Sequence, residues 1–222
     1  MKCRHCFEPC IKKGKTGNHQ RYKCSTCMKY QQEIYSYNSH LVMDMEIIGL
    51  IKEGVGILGI SRLLQISKAT VIRRTVRIGK SIRRSSPIVF GQKYQVDELF
   101  TYVGHKKNRV CVAYSIEEST GNVIDIVVGR RNKTNLRKVI STLVLAEASQ
   151  ITTDKLNIYK ELIPSTVHST KHRGINKIER KNLTLRTHLK RLNRRTICYS
   201  KSIKMLDAVL RIYFWFGVKT IL

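Results

Sequence analysis

From Lys93 onward the chain alternates apolar and polar residues three times in succession, and this most restricts what it can fold into. Lys93–Asp97 reads as a strand, and Arg109–Ile116 places Val110, Val112, Tyr114 and Ile116 on one face. Gly121-Asn122 then leads into a third strand, Val123–Val128. Short turns between such runs predict an antiparallel meander. The period then lengthens: Leu136, Val139, Ile140, Leu143 and Val144 form the apolar side of a helix over Thr134–Ala148. A strand at Gln150–Thr153, a helical turn around Tyr159 and a strand through Val167 and His168 follow. Two helices close the pattern. Ile178, Leu185, Leu189 and Leu192 stripe the first, and Met205, Val209, Ile212 and Phe216 stripe the second, over Lys201–Phe216.

Three antiparallel strands, helix, strand, helix, strand, helix is the order of a mixed-sheet α/β domain of the ribonuclease-H-like kind. In it the first and fourth strands are neighbours whose ends face the late helix. Asp97 is expected at the end of the first strand, Asp154 at the end of the fourth, and Glu179 on the helix after the fifth. Three carboxylates at one point repel one another. Two divalent cations about 3.5–4 Å apart relieve the repulsion and activate a phosphodiester, and hard oxygen donors select Mg2+ or Mn2+. Each acid also has a plainer reading. Asp154 can cap the turn at Leu156, and Glu179, the one acid among the many Lys and Arg of Lys171–Lys204, can pair with Arg180 or Lys190. Glu98 competes with Asp97, since adjacent strand residues face opposite sides. Asp125, Glu117, Glu118, Glu147 and Glu161 read as ordinary surface or loop acids.

The first 84 residues read as two smaller pieces. Cys3-x-x-Cys6 and Cys24-x-x-Cys27 have the spacing of a closed four-thiolate zinc site, with Cys10, His5 and His19 as spare donors. The bulky apolar residues there are Phe7, Tyr22, Tyr30 and Ile34, too few for a metal-free core. Helices at Val42–Lys52 and Gly56–Leu64 precede a third, capped by Ser67 and running to about Ile82. That third helix is basic and without acids, as a major-groove helix of a helix-turn-helix would be. Ser67, Lys68, Thr70, Arg73, Arg74 and Arg77 are its expected DNA contacts. The expected division is a zinc-binding knuckle (1–38), an all-α helix-turn-helix (39–84), a linker (85–91) and the α/β catalytic domain (92–222).

Charge points to the partner. The 42 Lys and Arg against 15 Asp and Glu give +27, which suits a polyanion: DNA, RNA or an anionic membrane. The most apolar stretch, Ile212–Leu222, contains Lys219 and falls well short of the ~20 residues a spanning helix needs, so no membrane role is expected. No apolar run follows Met1, and the seven cysteines cluster as metal ligands do in a reducing compartment. Both suggest a cytoplasmic, nucleoid-associated protein.

Val96-Asp97-Glu98-Leu99-Phe100-Thr101-Tyr102-Val103-Gly104, Thr153-Asp154, and Ile178-Glu179-Arg180-Lys181-Asn182-Leu183-Thr184-Leu185-Arg186 carry a resemblance, together with Lys190-Arg191-Leu192 and Thr196–Ser202. They resemble the transposases of the insertion sequence 1 family, as does the spacing from Asp154 to Glu179. The zinc-knuckle and helix-turn-helix start resembles that family's end-binding region. One difference is local: the family usually has Gly-Trp after the second aspartate, where Lys155-Leu156 stand here. The resemblance implies an enzyme of bacteria or archaea that binds terminal inverted repeats, cuts the element's ends and joins the freed 3′ hydroxyls to target DNA. It implies an acidic triad of Asp97, Asp154 and Glu179, and a homodimer or larger synaptic assembly. Arg186, Lys190, Arg191, Arg194 and Arg195 are the expected phosphate contacts near the metals. A repressor without catalysis, and a nuclease of the same fold that cuts branched DNA, are the competing readings.

Overall fold

In the computed structural model, residues 1–33, 41–83, 90–170, 174–193 and 195–217 are described. They divide into two units, 1–45 and 46–222.

The first unit is a three-stranded antiparallel sheet of β1 (Cys10–Thr16), β2 (His19–Cys24) and β3 (Tyr30–Gln32). Phe7 and Met28, each following the second cysteine of a pair, take left-handed φ of 63° and 60°. These turns let the backbone fold over the sulfurs: the N–H groups of His5 and Cys27 donate to Cys3 Sγ and Cys24 Sγ, both at 3.4 Å. Gln31 stitches the edges together, donating to the Lys2 carbonyl at 2.8 Å and accepting from Arg4 N–H at 2.9 Å. Among the described residues up to 33, only Cys3, Cys24 and Gln31 are buried. Phe7 (75% exposed) and Tyr30 (48%) face water, so neither forms the core their bulk suggested. Ile34 lies outside the described residues. An interior of sulfur and one amide has almost no hydrophobic burial to hold it.

The second unit holds helices α1 (Leu41–Lys52, which straddles the division), α2 (Ile57–Leu63) and α3 (Lys68–Ser81), then a five-stranded sheet. Strands β4 (Lys93–Val103), β5 (His105–Glu117) and β6 (Val123–Gly129) form the antiparallel meander. On the other side of β4 lie β7 (Gln150–Thr152) and β8 (His168–Ser169), both parallel. The order β6-β5-β4-β7-β8 is the ribonuclease-H-like arrangement the element order predicts. Of the expected linker, residues 85–89 are outside the described residues.

Alternation along the strands divides the sheet into two faces. Tyr94 and Val96 of β4 pack with Cys111, Ala113 and Ile124 against α4 (Lys133–Leu145) and α5 (Asn157–Leu162). The other face carries α6 (Asn176–His188) and α7 (Ile203–Trp215), where Trp215 donates to the Val123 carbonyl at 2.9 Å and Phe214 stacks on Tyr114. The expected helical stripe outlasts its helix. Leu189 breaks α6 and a 3-10 turn (Lys190–Leu192) follows, yet Ile178, Leu185, Leu189 and Leu192 are all buried.

Two expectations need correction here. Asp97 is not at a strand end, because β4 runs eleven residues, to Val103. Its second half pairs with β5 as far as Tyr102↔Arg109 and is further held by distant chain: Thr101 Oγ1 donates to the Arg191 carbonyl at 2.8 Å, and Val103 bridges to Ser200. Asp125 is not a surface acid. It is fully buried on β6, where Oδ2 accepts from the Thr142 hydroxyl at 2.7 Å.

Helix α3 packs along α7, and Gly79 makes that contact possible: a Cβ there would sit 2.5 Å from Ala208. Gly54, at φ +75°, lies against the end of α6, where a Cβ would be 2.1 Å from the His188 carbonyl oxygen. Gly54→Ala therefore adds a left-handed strain and a backbone collision. It should cost about 2–3 kcal/mol, read as a fall in the urea midpoint at unchanged m-value, whereas Gly49→Ala, which meets nothing inside α1, should stabilise by up to about 1 kcal/mol.

Candidate active site

Adjacent carboxylates on β4 face opposite sides of the sheet and grip different elements. Asp97 faces α6: its Oδ2 accepts from the Asn182 side-chain amide at 2.6 Å, and Oδ1 accepts from the Glu98 N–H at 2.7 Å. Asn182 is itself held, because Tyr114 donates to its Oδ1 at 2.8 Å. Buried Gln95, two residues before Asp97, accepts from the Ile178 N–H at 3.0 Å and so pins the first turn of α6. Lys177 and Lys181 tie the same helix to the Glu118 and Gly121 carbonyls. Asn182 follows Glu179 by one helical turn, so both lie on one face of α6.

Glu98 faces the other way, toward α5, where Tyr159 donates to its Oε1 at 2.7 Å. Tyr159 belongs to the segment that follows Asp154. Asp154 Oδ1 accepts from the Leu156 N–H at 3.1 Å, and the Leu156 carbonyl accepts from the Tyr159 N–H at 3.1 Å. The plainer reading of Asp154 as a local turn-former is thus partly realised, with one of its oxygens so used. The plainer reading of Glu179 is not: among the described residues neither Arg180 nor Lys190 pairs with it, and its side chain is exposed.

The acids act on one another electrostatically. Burial pushes the Asp97 carboxyl above its ordinary value. The Glu98 N–H and Asn182 oppose that, and the charges of Asp154 and Glu179 add to it. Glu98 is raised first by burial and then by Asp154 and Asp97, with Tyr159 and Arg131 opposing. Asp97, Asp154 and Glu179 therefore share one field. They do not form a closed ligand set in this conformation: among the described residues the one cluster with metal-ligand spacing is Cys3, Cys6, Cys24 and Cys27.

The four sulfurs of that cluster lie within 4.8 Å of one another, with Cys3–Cys27 at 3.5 Å and Cys6–Cys24 at 3.4 Å. This is compatible with a tetrahedral zinc site at Zn–S distances near ~2.3 Å. The Cys27 N–H on Cys24 brings that thiol down to about 6 and the His5 N–H lowers Cys3, while, against the Glu8 N–H, Cys24, burial and the neighbouring sulfurs push Cys6 up to about 12, so without a cation the four sulfurs share protons and two of them favour the thiolate form. Cys10, His5 and His19 stay outside the cluster.

The sequence model of one family, described as IS1 transposase, matches residues 93–217, from the first residue of β4 to just past α7. The chain belongs to the IS1 transposase family. Among its curated relatives, an iso-IS1n InsB protein of Shigella dysenteriae is 33% identical over 116 residues, which are 52% of this chain and 88% of that one. An IS1 InsB protein of Escherichia coli K12 is 31% identical over 119 residues, 54% of this chain and 71% of the relative. The HTLV-2 integrase catalytic core is a looser structural match, with TM-score 0.36 and 15% identity over 56% of this chain and 84% of that one.

Within this transposase the expected basic contacts divide by burial. On α3, Lys68, Arg73 and Arg77 are exposed and Thr70 is half-buried, while Ser67 spends its hydroxyl as N-cap on the Thr70 N–H at 3.1 Å. Arg74 is 7% exposed, because spacing from Val71 to Ile78 puts it on the face packed inward. Arg191 is 8% exposed and donates to Ser200 Oγ at 2.9 Å. Neither offers its guanidinium to a phosphate as placed, contrary to expectation. Arg186 is half-buried and donates to the Leu192 carbonyl at 2.7 Å, and Lys190 and Arg195 are exposed. Arg194 lies outside the described residues. Sequence reasoning passed over Asn182, Tyr114, Tyr159 and Gln95. Asn182 alone carried a readable signal, its one-turn offset from Glu179. No described helix is long and apolar enough to cross a membrane.

Proposed function

We propose that this IS1-family transposase binds the terminal inverted repeats of its element, cleaves the strand ends and joins the 3′ hydroxyls to target DNA, with Asp97, Asp154 and Glu179 as the catalytic carboxylates. What carries the reading is that the charges of Asp154, after β7, and Glu179, on α6, both reach the buried Asp97 carboxyl of β4, inside the stretch matched to the family. Their hard oxygens fit Mg2+ or Mn2+ in chemistry, and a cation would offset both the burial that chiefly raises Asp97 and the repulsion from Asp154 and Glu179 that adds to it. Bound there, two such ions would activate the attacking oxygen and stabilise the leaving one. The chain's own part is to hold three carboxylates ready and to bring the scissile phosphate to them. Asn182 must release or share Asp97 Oδ2 as the ligand set closes.

The remaining parts follow from chemistry already described. Cys3, Cys6, Cys24 and Cys27 hold zinc, and residues 1–38 dock on the element's ends. Residues 39–84 act as the helix-turn-helix, with Lys68, Thr70, Arg73 and Arg77 of α3 toward the DNA. Arg186, Lys190 and Arg195 serve phosphates beside the acids of the catalytic part, 92–222. Two ends must be processed together, so the working form is a homodimer or larger assembly on the nucleoid.

In this reading Asn182 and Tyr159 are positioning residues. One holds Asp97 to the helix of Glu179, the other holds Glu98 to the segment of Asp154. Replacements of groups that orient ligands typically cost 10–100-fold in metal affinity or activity. Asn182→Ala and Tyr159→Phe should each raise the Mg2+ concentration for half-maximal cleavage about tenfold and weaken Mn2+ binding measured directly, with unchanged affinity for end DNA. An unchanged Mg2+ dependence in both variants would remove them from this role. The reading as a whole is tested by incubating labelled DNA ending in the flanking inverted repeats with and without Mg2+. Metal-dependent cleavage at the repeat boundary followed by joining is expected. Cutting of branched DNA without joining would favour a nuclease.

A further inference from the structure

The β4–β5 hairpin ends in a row of cations that the site above does not use. The first five residues of β5 (His105, Lys106, Lys107, Asn108 and Arg109) are all exposed, although the next seven are buried. Strand β6 pairs only from Cys111 onward, so among the described residues this end of β5 has no paired strand on that side. Continuing the Cys111↔Gly129 register by two residues brings Arg131 opposite Arg109. Both guanidiniums lie 5.4 Å from the centre of the Phe100 ring. Arg130 beside them is exposed as well. None of Lys106, Lys107, Arg109, Arg130 and Arg131 has a carboxylate partner among the described residues.

The row is held in place rather than loose. Tyr102 packs on Tyr199 with centroids 5.2 Å apart, and the Gly104 N–H donates to the Ser200 carbonyl at 2.9 Å. Lysines often guard an unpaired strand edge against aggregation, and that suffices for Lys106 and Lys107. It does not explain two guanidiniums, one from β5 and one from the bend after β6, brought to one ring, where like charges repel. An anion between them removes that cost. The ledge also borders the acids, since the charge of Arg131 reaches Glu98.

We infer that Lys106, Lys107, Arg109, Arg130 and Arg131 form a ledge that grips the phosphate backbone of double-stranded DNA without reading its sequence. It rests on the transposase reading and gives it a second DNA surface, apart from α3. Its chemistry suits DNA of arbitrary sequence, as target DNA is.

The test uses the full chain, zinc-loaded, and a fluorescent random-sequence duplex titrated across a salt series. The variant is Lys106→Ser/Lys107→Ser/Arg130→Ser, which leaves Arg109 and Arg131 on Phe100. The control is Arg137→Ser/Lys138→Ser/Lys204→Ser, which removes equal charge from exposed positions elsewhere. Each lost phosphate contact lowers the slope of log K against log salt by about 0.9. The ledge variant should therefore lose about 3 in slope and at least tenfold in affinity, with its thermal midpoint unchanged, while the control loses far less. Equal losses in variant and control, or none in either, overturn the ledge. Mg2+-dependent cleavage of end DNA is scored separately in the wild type. Its absence would strike the catalytic reading while a selective slope change kept the ledge.

Discussion

Glu179→Gln should bind end DNA as the wild type does and cleave it roughly 1,000-fold more slowly, a loss of ~4 kcal/mol in the transition state. The expectation rests on what surrounds this side chain. Glu179 is exposed on α6, and among the described residues no cation pairs with it. An isosteric amide thus disturbs neither packing nor an ion pair. The first turn of α6 stays pinned by Gln95 and Lys177. What changes is the loss of one anionic oxygen donor from the shared field of Asp97 and Asp154. Gel-shift titration and strand-cleavage rates on the same DNA separate the two effects. Equal cleavage rates in variant and wild type would take Glu179 out of the mechanism.

The second large effect lies in the other unit. Cys24→Ser, or stripping zinc with a chelator, should unfold residues 1–33 and weaken end binding, while the unit of the carboxylates keeps its melting transition. Apparent zinc affinities of small thiolate sites correspond to ~10–16 kcal/mol, far more than the burial of Cys3, Cys24 and Gln31 can replace. Cys24 is the informative position because it is fully buried and its thiol is brought down to about 6 by the Cys27 N–H. A serine has no thiolate to give. Zinc content, amide hydrogen exchange over β1–β3 and end-DNA affinity are the readouts. Protected β1–β3 amides in the zinc-free protein would show that the sheet stands without metal.

Much of the fold was legible because it depends on local pattern. Alternation at Val110, Val112, Tyr114 and Ile116 and the 3.6-residue spacing of α4 both report which face is buried. The element order then leaves the strand order β6-β5-β4-β7-β8 as the expected one. The length of β4 was not legible, since its pairing with β5 runs on through Val103, past the alternation that ends at Asp97, and Thr101 and Val103 are further held by Arg191 and Ser200, some ninety positions away. Asp125 looked like any loop acid until Thr142 of α4 met it. Arg74 and Arg191 looked like contacts for DNA because charge alone does not say which side of a helix faces its neighbour. The hydrogen bonds of Asp97 to α6 and of Glu98 to α5 depend on strand alternation, which was readable. They depend also on the registry of Tyr159 and Asn182, which was not.

The central claim is that three carboxylates gather paired divalent ions next to a phosphodiester. Electron paramagnetic resonance of the zinc-loaded protein on end DNA, titrated with Mn2+, tests it most directly. A spin-coupled Mn2+ pair, of the ~3.5–4 Å separation such sites share, is expected in the wild type and should disappear in Asp97→Asn. Isolated, uncoupled Mn2+, or a coupled signal that survives Asp97→Asn, would contradict it.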